Sequence, residues 1–266
     1  MELFRLYQPQ SNRLPVVANL PHSGTYVPQE IQQNFTEQFS SALYNTDWFL
    51  PVLYSFLPEL GITVLEATHS RYVVDLNRHP DRTLYGSFFR ATIAGQTADG
   101  KRIYRTDPTT ESLKERVDKF HRPYHAKLQE ILAELKRTFK RVYLWDLHSF
   151  MGLITEDICL GNANGDTCSA KLIDSFQKQF SKRGFEVVKN KVFTGGYITR
   201  HYGQQHLTDA IQIELRYTNY LAESELNVPR KPKIVDEAKF SSMSNTLKHI
   251  FKNTLVDIDL FENNSI

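Results

Sequence analysis

From Leu113 to Phe139, apolar residues recur at steps of three and four: Leu113, Val117, Phe120, Tyr124, Leu128, Ile131, Leu135 and Phe139. Arg141 to Leu147 (RVYLWDL) then forms a nearly continuous apolar run of strand length. A helical period followed at once by a buried strand is the mark of an α/β chain, in which each element covers a face of the other. The alternation extends along the chain. Pro15–Leu20, Ile62–Ala67, Tyr72–Leu76, Phe185–Lys189 and Ala210–Leu215 read as strands. Helices are expected over Asp47–Leu60, stopped by Gly61, from Asp166-Thr167 to Lys182, ended by Gly184, and over Asp236–Phe251. Asp107-Pro108 offers a cap and a first-turn proline to the long helix, and Pro123 predicts a kink or break near residue 120. His79 to Asp107 has little periodicity and reads as a long functional loop.

With 266 residues, the chain can bury enough surface to fold without a disulfide or a metal, so a metal would serve catalysis. Residues 1–266 are expected to form a single catalytic domain. Two cysteines, Cys159 and Cys168, form neither a zinc knuckle nor a disulfide framework. The net charge of +2 predicts no nucleic-acid partner. No apolar stretch reaches membrane-spanning length and the start lacks a signal-peptide core, so no membrane partner and a cytoplasmic location are expected.

The chemistry-bearing residues gather at the ends of the expected strands, where ligands bind in open α/β sheets. Pro21-His22-Ser23-Gly24 follows the first strand. His22 is placed to present a ring nitrogen into a cleft, or is a turn histidine. Trp145-Asp146-Leu147-His148-Ser149 ends another strand, and period-two alternation puts Asp146 and His148 on one face. That pair reads as a metal-bound imidazole oriented by a carboxylate, or as a simple hydrogen-bonded pair. Gln212, Glu214 and Arg216 share a face opposite Ile211, Ile213 and Leu215. If that face lines a cleft, Glu214 is a general base with a raised pKa; otherwise it is a surface strand. Arg71 and Arg78 flank Tyr72–Leu76 as forks for carboxylates or as surface salt bridges. Thr194–Gly203 reads as a flexible polar loop. His121 and His125 are four apart, but Arg122 stands where the metalloprotease helix pattern needs a glutamate. Ser23 and Ser149 lack a nucleophile-elbow context.

Taken in order, PHSG (Pro21–Gly24), TDW (Thr46–Trp48), SRYVVDLNR (Ser70–Arg78), PYH (Pro123–His125), DLHS (Asp146–Ser149), GGYITRHYG (Gly195–Gly203) and QIEL (Gln212–Leu215) make the chain resemble the N-formylglutamate amidohydrolases. The resemblance spans roughly residues 15 to 220. It implies kinship with zinc carboxypeptidases and aspartoacylases, hence a three-layer α/β/α sandwich around a mixed, about eight-stranded sheet. It implies one zinc ion per chain, with His22 as first ligand and His148 as last. Those relatives carry glutamate three residues after the first histidine. Thr25 stands there in this chain, and Asp47 is the candidate replacement. Arg71 would polarise the scissile carbonyl, and Glu214 would activate the water. Asn77, Arg78 and Arg200 would hold the carboxylates of a small acidic N-acyl amino acid. The implied reaction converts N-formyl-L-glutamate to formate and glutamate, late in histidine degradation. A different N-acyl amino acid, or binding without catalysis on the same scaffold, are the alternative expectations.

Overall fold

The structure is a computed structural model that describes residues 1–40, 43–226, 228 and 230–260. Its strands are β1 Phe4–Tyr7, β2 Val16–Leu20, β3 Thr63–Ala67, β4 Tyr85–Gly86, β5 Ile93–Ala94, β6 Val142–Phe150, β7 Ile158–Gly161, β8 Val187–Lys189 and β9 Thr208–Arg216. Its helices are α1 Gln29–Gln32, α2 Glu37–Ser40, α3 Leu50–Leu53, α4 Thr110–Arg116, α5 Arg122–Thr138, α6 Ala170–Ser181, α7 Tyr197–Gly203 and α8 Glu237–Asp257. Seven strands form a mixed sheet in the order β1-β3-β2-β6-β9-β7-β8, and β4 pairs only with β5. The expected count of about eight is therefore seven among the described residues. The centre of the sheet, β3-β2-β6-β9, is parallel, whereas β1 and β7 run antiparallel to their inner neighbours.

β6 is buried along all nine residues, as a strand covered on both faces must be. On one face Val16, Ala18, Trp145, Ile211 and Ile213 pack under α3, α6 and α8, with Trp145 edge-on to Phe176 and Phe251. On the other, Val17, Leu144 and Ala210 meet Leu128, Leu132 and Leu135 of α5 and Ile198 of α7. This is the three-layer arrangement. No helix among the described residues is long and apolar enough to cross a membrane.

Several local expectations change. Tyr72–Leu76 is fully buried but folds as turns. Val73 N bonds Ser70 O and Asp75 N bonds Thr92 O, so its apolar side chains enter the core without a strand ladder. Asp47–Leu60 is not one helix. Phe49 takes φ 61°, and only Leu50–Leu53 and a 3-10 turn at Pro58–Leu60 are helical before Gly61, at φ 85°, ends the segment. Thr194–Gly203, expected as a flexible polar loop, contains α7. The long helix starts later than expected, with the Thr109 hydroxyl accepting from Ser112 N. Ahead of Pro123 it relaxes into a π turn, Val117–His121, and continues as α5. Pro123 has no N–H to offer and its ring crowds the preceding turn, so a local widening replaces a break.

Candidate metal centre

In the main sheet, β2 steps to β3 on one side, whereas β6 lies on its other side. Strand order thus reverses between β2 and β6, and a crevice opens there at the carboxyl ends. His22 leaves β2 into that crevice, and His148 sits near the end of β6, inside the strand. Gly24 lets the chain pass close after His22, because a Cβ there would lie 2.3 Å from His69 O. Asp47 arrives from the loop before α3. Its N–H bonds His22 O at 3.0 Å, and the Tyr217 hydroxyl donates to Thr46 O at 2.6 Å.

Three ligand atoms, one each from His22, Asp47 and His148, lie within 4.8 Å of one another, and all three residues are buried. Asp47 Oδ2 is 3.0 Å from His148 Nδ1 and 3.8 Å from His22 Nδ1. The two Nδ1 atoms therefore converge on one carboxylate. Each Nε2 has its own: His22 Nε2 lies 2.7 Å from Asp75 Oδ1, and His148 Nε2 lies 3.2 Å from Asp146 Oδ2. A carboxylate behind each imidazole fixes the tautomer and turns Nδ1 into a donor toward a metal. Burial lowers the pKa of His22, helped by Arg71. Burial also opposes charge on His148, but Asp146 and Asp47 outweigh it and hold that ring well above its ordinary value. Carboxylates that stabilise a proton there favour a metal cation in its place. Two imidazoles and a carboxylate form a donor set that suits a divalent transition ion.

Asp146 is further held by Asn19 Nδ2 at 2.7 Å and by the Thr199 hydroxyl at 3.2 Å. Asp75 also accepts from Arg71 Nη2 at 2.6 Å. Burial would raise the Asp75 pKa, but Arg71, His22 and Arg78 hold it well below the carboxylate range. The Arg71 guanidinium lies 4.5 Å above the Phe88 ring.

His148 and Glu214 are register partners across β6 and β9. The face carrying Gln212 and Glu214 is thus the inner wall of the crevice. Glu214 Oε1 accepts from Gln212 Nε2 at 2.7 Å, whereas Oε2 is buried with no hydrogen-bond partner. Burial, with Asp47 adding to it, pushes the Glu214 carboxyl up to about 7 despite the opposing charge of His148.

A cavity of about 1390 Å³ opens over this centre, lined by His22, Asp47, His148, Glu214 and Arg71 among others. Asn77, Arg78 and Arg200 also line it, so the structure brings every expected site residue to one cavity. Asn77 is the most committed of them. Its Oδ1 accepts from Ile198 N at 2.8 Å, and its Nδ2 donates to Asp146 Oδ2 at 3.3 Å, the carboxylate behind His148. Arg78 is half-buried with its Nε unpartnered. Arg200 bonds Gly195 O and the Thr194 hydroxyl. Sequence reasoning missed Asp75. The available signal was a lone carboxylate within an otherwise apolar run, between two arginines.

The comparisons agree with this geometry. The family model for N-formylglutamate amidohydrolase matches residues 14–221. The N-formylglutamate deformylase of Pseudomonas putida is 34% identical over 226 residues, covering 80% of this chain and 84% of the relative. That of Pseudomonas aeruginosa is 36% identical over 224 residues, covering 79% and 84%. The crystal structure of N-formylglutamate amidohydrolase from Ralstonia eutropha JMP134 superposes with a TM-score of 0.81 at 23% identity, covering 98% of each chain, and shares the fold. A matched segment that holds the whole buried centre, with two relatives above 30% identity, places this chain in the N-formylglutamate amidohydrolase family.

Proposed function

We propose that residues 1–266 form a single catalytic domain that hydrolyses the formyl amide of N-formyl-L-glutamate to formate and L-glutamate, with one zinc ion held by His22, Asp47 and His148. The observation that carries this reading is the conjunction of the His22–Asp47–His148 cluster with an unpartnered, buried carboxylate oxygen on Glu214. The two relatives named for that reaction support the substrate.

Zinc in this donor set supplies a Lewis acid and an activated water at neutral pH. Glu214 Oε2, the buried carboxylate oxygen without a partner, accepts a proton from the attacking water and then hands it to the departing amine. Gln212 holds the other carboxylate oxygen and so fixes which oxygen works. Arg71, anchored on Asp75 and backed by Phe88, stabilises the developing oxyanion. Arg78 and Arg200 receive the two substrate carboxylates at the cavity wall, with Asn77 beside them.

Purified enzyme is expected to carry about one zinc per chain and to release formate from N-formyl-L-glutamate. His148→Ala should lose most of both. Full metal retention in that variant, or an inert metal-loaded wild type, would reject the reading. A second reading, a larger N-acyl amino acid, is favoured by the cavity, whose 1390 Å³ exceeds the roughly 300–1,000 Å³ of ordinary small-molecule sites. A panel of formyl, acetyl and longer acyl amino acids separates the two by kcat/KM.

A further inference from the structure

His121 and His125 take no part in that chemistry; His121 is buried and His125 half-buried behind the turn that carries Asn77 and Arg78. His121 closes the π turn and His125 lies in the first turn of α5. Their rings stack with centroids 4.3 Å apart and planes 19° apart. His121 Nε2 lies 2.9 Å from Arg78 O, and His125 Nε2 lies 2.9 Å from Leu76 O. A carbonyl only accepts, so each Nε2 carries a hydrogen. Burial pushes His121 down to about 4 and His125 to about 3, so both rings are neutral at neutral pH. His125 Nδ1 is then an acceptor, with the Tyr202 hydroxyl 3.0 Å away.

The two carbonyls bracket Asn77. Residues 71–78 contain neither helix nor strand, yet they carry Arg71, Asp75, Asn77 and Arg78. Buried carbonyls outside a ladder need donors from elsewhere. The imidazoles supply them. α7 gives Ile198 N to Asn77 Oδ1, and Gly196 leaves the room for it. A Cβ on Gly196 would lie 2.4 Å from the Asn77 amide. Tyr197 lies against the histidine pair, with its centroid 6.0 Å from His121 and 5.4 Å from His125.

We propose that His121 and His125 are positioning residues: by donating Nε2–H to Arg78 O and Leu76 O they hold Arg78 on the cavity wall and Asn77 against Asp146, the carboxylate behind His148. The consequence for substrate rests on the proposed role of Arg78 as a carboxylate clamp; the consequence for the turn does not. Packing alone would be satisfied by any flat ring of similar size. Positioning requires the N–H.

Phenylalanine keeps the ring and removes the donor, whereas glutamine keeps an Nε2–H on a flexible stem. The test compares His121→Phe, His125→Phe, His121→Gln and His125→Gln in the full, metal-loaded chain. Three quantities are read: metal content, kcat and KM for N-formyl-L-glutamate, and amide hydrogen exchange over residues 72–79. The Phe variants should keep their metal, raise KM roughly tenfold with kcat changed less than about threefold, and exchange faster at Asn77 and Arg78. The Gln variants should recover most of both. Phe variants with wild-type KM and exchange, or Gln variants no better than Phe, overturn the proposal. An inert wild type removes the proposed function, and exchange alone then decides the role of the pair. If a Phe variant does not fold, the Gln variant is set against wild type. Wild-type exchange supports the donor role, and lost protection rejects it.

Discussion

Glu214 and Asp75 show how two carboxylates in one centre acquire different tasks. Glu214 keeps one oxygen free of partners and is pushed up to about 7 by burial, whereas Asp75 is saturated by His22 and Arg71 and held low. Glu214→Gln should bind metal normally and lose roughly 10²–10⁴-fold in kcat, the usual scale for a general base. Titration with zinc beside a turnover assay checks it, and unchanged kcat would move the base elsewhere. Asp75→Asn removes the carboxylate behind His22 and should weaken metal about 10–100-fold. Competition against a chelator of known affinity measures that loss. His22, Asp146 and His148 are legible in the sequence because short polar motifs end apolar strands. Asp75 is not, because its partner His22 is distant in the chain and its neighbours Val73, Val74 and Leu76 disguise it as a strand residue. Asn77 matches the motif by identity, but only the fold reveals that its amide is engaged with Ile198 N and Asp146.

At the scale of elements, the long helix is legible from its period and the buried strands β2, β6 and β9 from short apolar runs of strand length. The failures have a common cause. In Tyr72–Leu76 and Asp47–Leu60 the side chains are buried by an irregular backbone, and a run of apolar residues does not report which backbone carries it. The π turn before Pro123 has a measurable consequence through the histidines it places. Folded-state pKa values of about 4 for His121 and about 3 for His125 lie below the ordinary 6.5. The unfolded chain therefore takes up these protons first. Their contribution to stability is complete above pH 6.5 and is lost as pH falls toward 4, by about 1.4 kcal/mol for each unit of depression that is titrated. Urea midpoints between pH 7.5 and 4.5 should fall more steeply for wild type than for a His121→Phe/His125→Phe double variant. Parallel slopes would show that these rings titrate normally. The comparison matters because His148, held high, contributes with the opposite sign.

At the scale of the whole molecule, a net charge of +2 conceals a concentrated field. Arg78, Arg82, Arg90 and Arg200 all line the cavity, and none forms an ion pair among the described residues. Guanidinium groups gathered over a concave site raise the local concentration of anions and are screened by salt. For a dicarboxylate substrate, kcat/KM should fall several-fold between low salt and about 0.5 M NaCl while kcat hardly moves. Equal falls in both would place the salt effect in the chemical step. The arginines sit on loops and turns and on the short α7, whereas His148 and Glu214 sit side by side in a parallel ladder. Spacing in a ladder is quantised. A slip of one residue turns the carboxylate to the far side of the sheet, and the next allowed step is two residues, roughly 7 Å along the strand. The pairing of Glu214 with His148 therefore has no gradual variants for drift to explore, and under the proposed mechanism descendants of this scaffold change substrate by rewriting the rim.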